Sequence, residues 1–153
     1  MARKPPIMNG YRPIKEYNLD DPLVRKLLGI ANSNPARPSK ISDRYVVYSN
    51  NKRAIVEYKT SSMHKAVEQL LVSAELLVNA GNQVDYLIIV GSINPTESKH
   101  NKQEHGKYKL IDPSTNNRPY AITVLSHTWE ILIFNDNQVN NMYEGLFKYL
   151  SGG

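Results

Sequence analysis

Asp43, Glu57 and Lys59 are the residues whose types and spacing could do chemistry. Each ends a run of strand-forming residues or begins one. Glu57 and Lys59 are two apart, so on a strand both point to one face with Tyr58 on the other. Two ionised carboxylates a few ångströms apart repel each other, and a cation between them relieves the repulsion. A hard divalent ion such as Mg²⁺ needs oxygen ligands and keeps several waters, so two carboxylates and one main-chain carbonyl, that of Tyr58, are enough from the protein. Such an ion lowers the pKa of bound water and offsets charge developing on a phosphate, which is the chemistry of phosphodiester hydrolysis. Lys59 would then reach the attacking water or the phosphate.

The elements around these residues can be read from pattern. Residues 45–48 and 54–58 are β-branched and aromatic runs, and Ser49-Asn50-Asn51-Lys52 between them is turn chemistry, so a hairpin is expected. Its register decides the site. A strict two-residue turn at Asn50-Asn51 puts Asp43 opposite Tyr58 and on the wrong face. A three-residue loop or a bulge puts Asp43 opposite Glu57 or Lys59, and this is the expected arrangement. A long helix follows, with Met63, Ala66, Val67, Leu70, Leu71, Ala74, Leu77 and Val78 at helical spacing, capped by Ser61 or Ser62 and closed by Gly81.

The segment Asp43 to Lys59, with Val56-Glu57-Tyr58-Lys59 ending the second strand and the helix after it, resembles the PD-(D/E)XK, or restriction-endonuclease-like, nuclease superfamily, which includes Holliday-junction resolvases and RecB-like nucleases. The resemblance spans about residues 21–90. Glu68-Gln69-Leu70 is similar to the Gln-Leu of the RecB-like subgroup, although Ser73 or Ala74 stands where that motif usually has an aromatic. Ser42 occupies a position where many members have Pro. The resemblance implies Asp43, Glu57 and Lys59 as catalytic, with Gln69 orienting the site by a hydrogen bond. It implies Asp43, Glu57 and the Tyr58 carbonyl as ligands of Mg²⁺, for which Mn²⁺ can substitute. Glu16 and Asp20 are candidates for the further acidic residue that some members supply. Gln69 reads equally well as a helix-surface residue.

The remaining chain fits one α/β domain: a central mixed β-sheet flanked by helices, a restriction-endonuclease-like core with a C-terminal β-β-α extension. Residues 1–18 read as a basic amino-terminal arm with a short strand near 14–17, and 19–153 as the domain, with 93–118 a polar excursion. A helix should start at Asp21-Pro22 and bury Leu23, Leu27, Leu28 and Ala31 before Asn34-Pro35. Residues 35–42 read as a loop or a very short edge strand. A buried strand is expected at 86–90, two more at 121–125 and 131–134, and a last helix at 139–150.

Composition excludes more than it selects. The 153 residues include no cysteine, which removes disulfides, zinc-thiolate sites and thiol nucleophiles. No apolar run approaches the ~20 residues of a membrane span, and no signal peptide follows Met1-Ala-Arg-Lys. An intracellular, cytoplasmic protein is expected, or one encoded by a virus or mobile element. The net charge of +5 suits a polyanionic partner such as DNA and equally suits an ordinary basic protein. Arg3, Lys4 and Arg12 of the arm and Lys99, Lys102, Lys107 and Lys109 of the excursion are candidate phosphate contacts. One site per chain makes a homodimer the expected form for cutting both strands of a duplex. His100 and His105, with Glu97 and Glu104 nearby, have metal-ligand spacing, but a solvated polar loop is the plainer reading. Ser126-His127 lacks the glycines of a nucleophile elbow. The rival to a nuclease is a non-catalytic DNA-binding or assembly protein that retains the fold.

Overall fold

The computed structural model describes residues 3–31, 41–59, 63–91, 121–124 and 127–150. Six strands and three helices follow one another as β1 (Pro13–Asn18), α1 (Pro22–Leu27), β2 (Arg44–Tyr48), β3 (Arg53–Lys59), α2 (Met63–Asn79), β4 (Tyr86–Gly91), β5 (Ala121–Val124), β6 (His127–Asn135) and α3 (Asp136–Leu150). The strands form one mixed sheet in the order β1-β2-β3-β4-β6-β5. The pairs β1–β2, β2–β3 and β5–β6 are antiparallel, whereas β3–β4 and β4–β6 are parallel. The closing β-β-α unit extends the sheet beyond β4. Ile131–Asn135 of β6 pairs with β4 and His127–Glu130 pairs with β5, so β6 is an interior strand.

Strand alternation sorts the core into two layers. Tyr45, Ile55, Leu87, Ile89, Ile131 and Ile133 face α2 and pack on Ala66, Leu70, Ala74 and Leu77. Val46, Tyr48, Val56, Ile88, Val90 and Phe134 face the other way, onto Met8 and Val139, with Met142 and Tyr143 partly buried beside them. β4 is therefore buried on both sides, which its unbroken Leu-Ile-Ile-Val run requires.

Two helices stop by the same device. After α1, Gly29 takes φ +77, its N–H donates to the Lys26 carbonyl, and the Ile30 N–H donates to that of Arg25. After α2, Gly81 takes φ +88, with the corresponding bonds to Val78 and from Asn82 to Leu77. Both are Schellman closures, which need a residue at ease in the left-handed region.

The early stop at Gly29 corrects the expected extent of the first helix. It has six residues, and although Leu28 is buried, Leu23 and Leu27 are 76% and 69% exposed. Too few turns exist for the full apolar stripe to reach the sheet. The helix starts as expected, with Asp21 Oδ1 accepting the Leu23 N–H at 2.9 Å and Pro22 in the first turn. At the other end of the chain, α3 begins three residues before the expected Val139. Asn135 Oδ1 accepts the Asn137 N–H and Gln138 Oε1 accepts the Asn135 N–H, a reciprocal capping box.

The amino-terminal residues lie along the sheet. Residues 13–18 are an edge strand, and the Pro5 and Pro6 carbonyls accept the hydroxyls of Tyr143 and Tyr48, each at 2.7 Å.

Candidate functional site

The hairpin between β2 and β3 has a three-residue loop. Tyr48 and Lys52 close it, with the Tyr48 N–H donating to the Lys52 carbonyl and the Asn51 N–H to the Tyr48 carbonyl. Asn51 takes φ +66, a conformation that asparagine adopts more readily than most residues. The resulting register pairs Arg44 with Val56 and Tyr45 with Ile55, so Asp43 falls opposite Glu57. Asp43 shares the face of Tyr45, and Glu57 and Lys59 share that of Ile55; all three lie on the α2 side. This is the arrangement that the expected loop requires.

Asp43 is half-buried, and its Oδ2 accepts the Tyr58 N–H at 2.8 Å. The N–H and C=O of one strand residue point to the same side, so the Tyr58 carbonyl is directed toward Asp43 and away from β4. Glu57 is only 3% exposed, and its Oε2 is buried with no hydrogen-bond partner. Burial, and then the adjoining Asp43 carboxyl, push its pKa up to about 9; Lys59 and the Ser42 hydroxyl pull weakly the other way. A proton on this pair, or a cation beside it, relieves an otherwise costly buried charge.

Among the described residues the buried polar side chains are Ser42, Glu57 and Ser73. They belong to one neighbourhood. Ser73 Oγ of α2 accepts the Ser42 N–H at 2.8 Å, Ser42 immediately precedes Asp43, and its own hydroxyl oxygen is buried without a hydrogen-bond partner. Gln69 lies one turn before Ser73 on α2 and is half-buried. Neither serine was singled out as a site residue from the sequence. The available signal was Ser73 itself, a hydroxyl within the apolar stripe of α2.

The other candidates are dispersed. Glu16 is on β1 at the opposite face, where its Oε1 accepts the Tyr58 hydroxyl proton at 3.1 Å, and Asp20 pairs with Arg25 at 3.8 Å. Arg12 is beside Ser49 at the turn end of the hairpin, far from Asp43. Arg3 pairs with Asp136 at 3.5 Å, and the Lys4 ammonium stands 4.9 Å from the centre of the Tyr143 ring. Lys99, Lys102, Lys107, Lys109, His100 and His105 lie outside the described residues. Trp129 is buried in β6 and donates Nε1–H to the Val84 carbonyl at 2.8 Å, as befits a core residue.

The donor set suits a hard ion with few protein ligands. No group of three or more His, Cys, Asp or Glu residues gathers among the described residues, which disfavours a site closed wholly by protein side chains there. Two carboxylates, one with an unpartnered buried oxygen, and a carbonyl aimed toward them match an ion that retains water.

Comparison with known proteins brings no match: no family model, no curated protein and no solved structure is significantly similar to this chain. No described helix is long and apolar enough to cross a membrane.

Proposed function

We propose that the chain is a metal-dependent deoxyribonuclease of the PD-(D/E)XK kind, with a restriction-endonuclease-like core formed by β1–β4, α1 and α2. The observation that carries the reading is Glu57: a buried carboxylate, opposite Asp43, with one oxygen unpartnered and Lys59 next along the same face. A fold with no use for this group would be expected to replace it or pair it.

In this reading Asp43, Glu57 and the Tyr58 carbonyl hold Mg²⁺ or Mn²⁺. The ion supplies a more acidic bound water and a counter-charge for the phosphate. Asp43 is held for this by the Tyr58 N–H, and the Ser42 hydroxyl, buried nearby without a hydrogen-bond partner of its own, favours the ionised form of Glu57. Lys59 places an ammonium beside the carboxylates, where it orients the attacking water or binds a phosphate oxygen. Gln69, on the helix facing the site, orients these groups. The net charge of +5 favours a polyanionic substrate, with Lys99, Lys102, Lys107 and Lys109 as proposed backbone contacts. A two-fold pair of chains would present two sites to the two strands of a duplex.

The test uses linear and branched DNA with Mg²⁺ or Mn²⁺. The wild type should cut, while Glu57→Ala and Lys59→Ala should abolish cutting and retain DNA binding in a gel-shift assay. A folded wild type that binds DNA and cuts none of these substrates with either ion supports the rival reading, a DNA-binding protein without catalysis.

A further inference from the structure

Alternation along a strand sends the neighbours of a site residue to the opposite face. Arg44 follows Asp43, and Tyr58 separates Glu57 from Lys59, so both cross to the α3 side of the sheet. There they converge on Glu16 of β1. Arg44 Nε is 3.3 Å from Glu16 Oε1, and the Tyr58 hydroxyl donates to that same oxygen at 3.1 Å. The guanidinium also stands 6.0 Å from the centre of the Tyr58 ring. Its Nη1 donates to Asn18 Oδ1 at 3.2 Å and to the Asp43 carbonyl at 2.9 Å.

These contacts reach the site from behind. The Asp43 carbonyl is held by Arg44 and by the Leu19 N–H, and the Asp43 carboxylate by the Tyr58 N–H. Tyr58 is held in turn by Glu16. The main chain carrying one carboxylate is therefore linked, through a single acidic residue on the edge strand, to the main chain carrying the other.

We infer that Glu16, Arg44 and Tyr58 form a positioning triad that sets the separation of Asp43 and Glu57. The inference rests on the reading of that pair as a divalent-cation site. Mg²⁺ demands near-ideal octahedral geometry, so its binding is sensitive to ligand spacing. Partners one shell beyond the ligands typically change metal affinity 10–100-fold when removed. A triad that only sealed β1 to the sheet would affect stability and leave affinity alone.

The experiment is Mn²⁺ titration calorimetry on the full chain, wild type beside Tyr58→Phe and Arg44→Lys, with the metal-free Tm of each. Tyr58→Phe keeps the ring and removes one hydroxyl; Arg44→Lys keeps the charge and loses the forked donors. The expected result is an Mn²⁺ Kd raised about tenfold or more in both, with Tm little changed. Glu16→Gln, which leaves Tyr58 an acceptor but discharges the ion pair, should fall between. Wild-type affinity in Tyr58→Phe and Arg44→Lys overturns the triad alone. A folded wild type that binds no Mn²⁺ overturns the cation site and the triad with it.

Discussion

Asp43 accepts the main-chain N–H of Tyr58 at 2.8 Å, which ties the acid that opens β2 to the residue between Glu57 and Lys59. One hydrogen bond thus joins the two strands of the candidate site across the hairpin. It also gives Asp43 a structural task, satisfying a strand N–H, that a test of function must separate from its role toward a cation.

Glu57 makes stability depend on pH in a definite direction. Its folded pKa, about 9, lies above the ordinary 4.5, so the folded protein keeps a proton that the unfolded chain releases. The contribution is fully present below about 4.5, declines as pH rises, and is lost as pH passes about 9. In EDTA, urea midpoints of the wild type should fall relative to those of Glu57→Gln between about pH 5 and pH 9. Parallel profiles for the two proteins would contradict the buried pair.

Added cation should reverse that loss. An ion that binds only the folded state at a hundred times its Kd stabilises by about 2.7 kcal/mol. Thermal melts of the wild type should therefore shift upward with increasing Mn²⁺. Those of Asp43→Asn and Glu57→Gln should show little or no specific shift.

Lys59 should separate binding from turnover. Lys59→Met is expected to retain Mn²⁺ binding and to lower the cleavage rate on the order of 10²–10⁴-fold, the range for a group that assists proton transfer. Equal rates for wild type and variant at saturating metal and DNA would remove Lys59 from the chemistry.

Ser73 should matter more than a surface serine. Ser73→Ala leaves the buried Ser42 N–H without its acceptor, at a cost of about 1–3 kcal/mol. Chemical denaturation measures it. A change under about 0.5 kcal/mol, the range of ordinary surface substitutions, would show that the Ser42 N–H finds another partner.

The parts of this fold that could be read in advance are those governed by local periodicity. The α2 stripe and Gly81 fixed a helix and its end, and Tyr45–Tyr48 with Ala54–Tyr58 marked a hairpin. Its register followed only from requiring Asp43 to meet Glu57, because Asn50-Asn51 suits a two-residue turn as well; the three-residue loop 49–51 closes with Asn51 at φ +66. Leu23 and Leu27 misled because α1 stops after six residues, leaving apolar spacing that describes an exposed face. β6 is longer than its apolar run at 131–134 indicates, because His127–Glu130 pairs with β5, a partner that local pattern does not reveal. The Ser42–Ser73 bond and the Glu16–Arg44–Tyr58 cluster join residues distant in the chain, where no local pattern signals contact.

The carbonyls of Pro5 and Pro6 have a practical consequence. They are the acceptors for two tyrosine hydroxyls, and the Tyr48 side chain is wholly buried. Trimming the chain to a minimal sheet by deleting its first eight residues would strand a phenol inside the protein and uncover the layer beneath Met8. The leader that looks dispensable is a staple, and a shortened version should express as a less soluble, lower-melting protein.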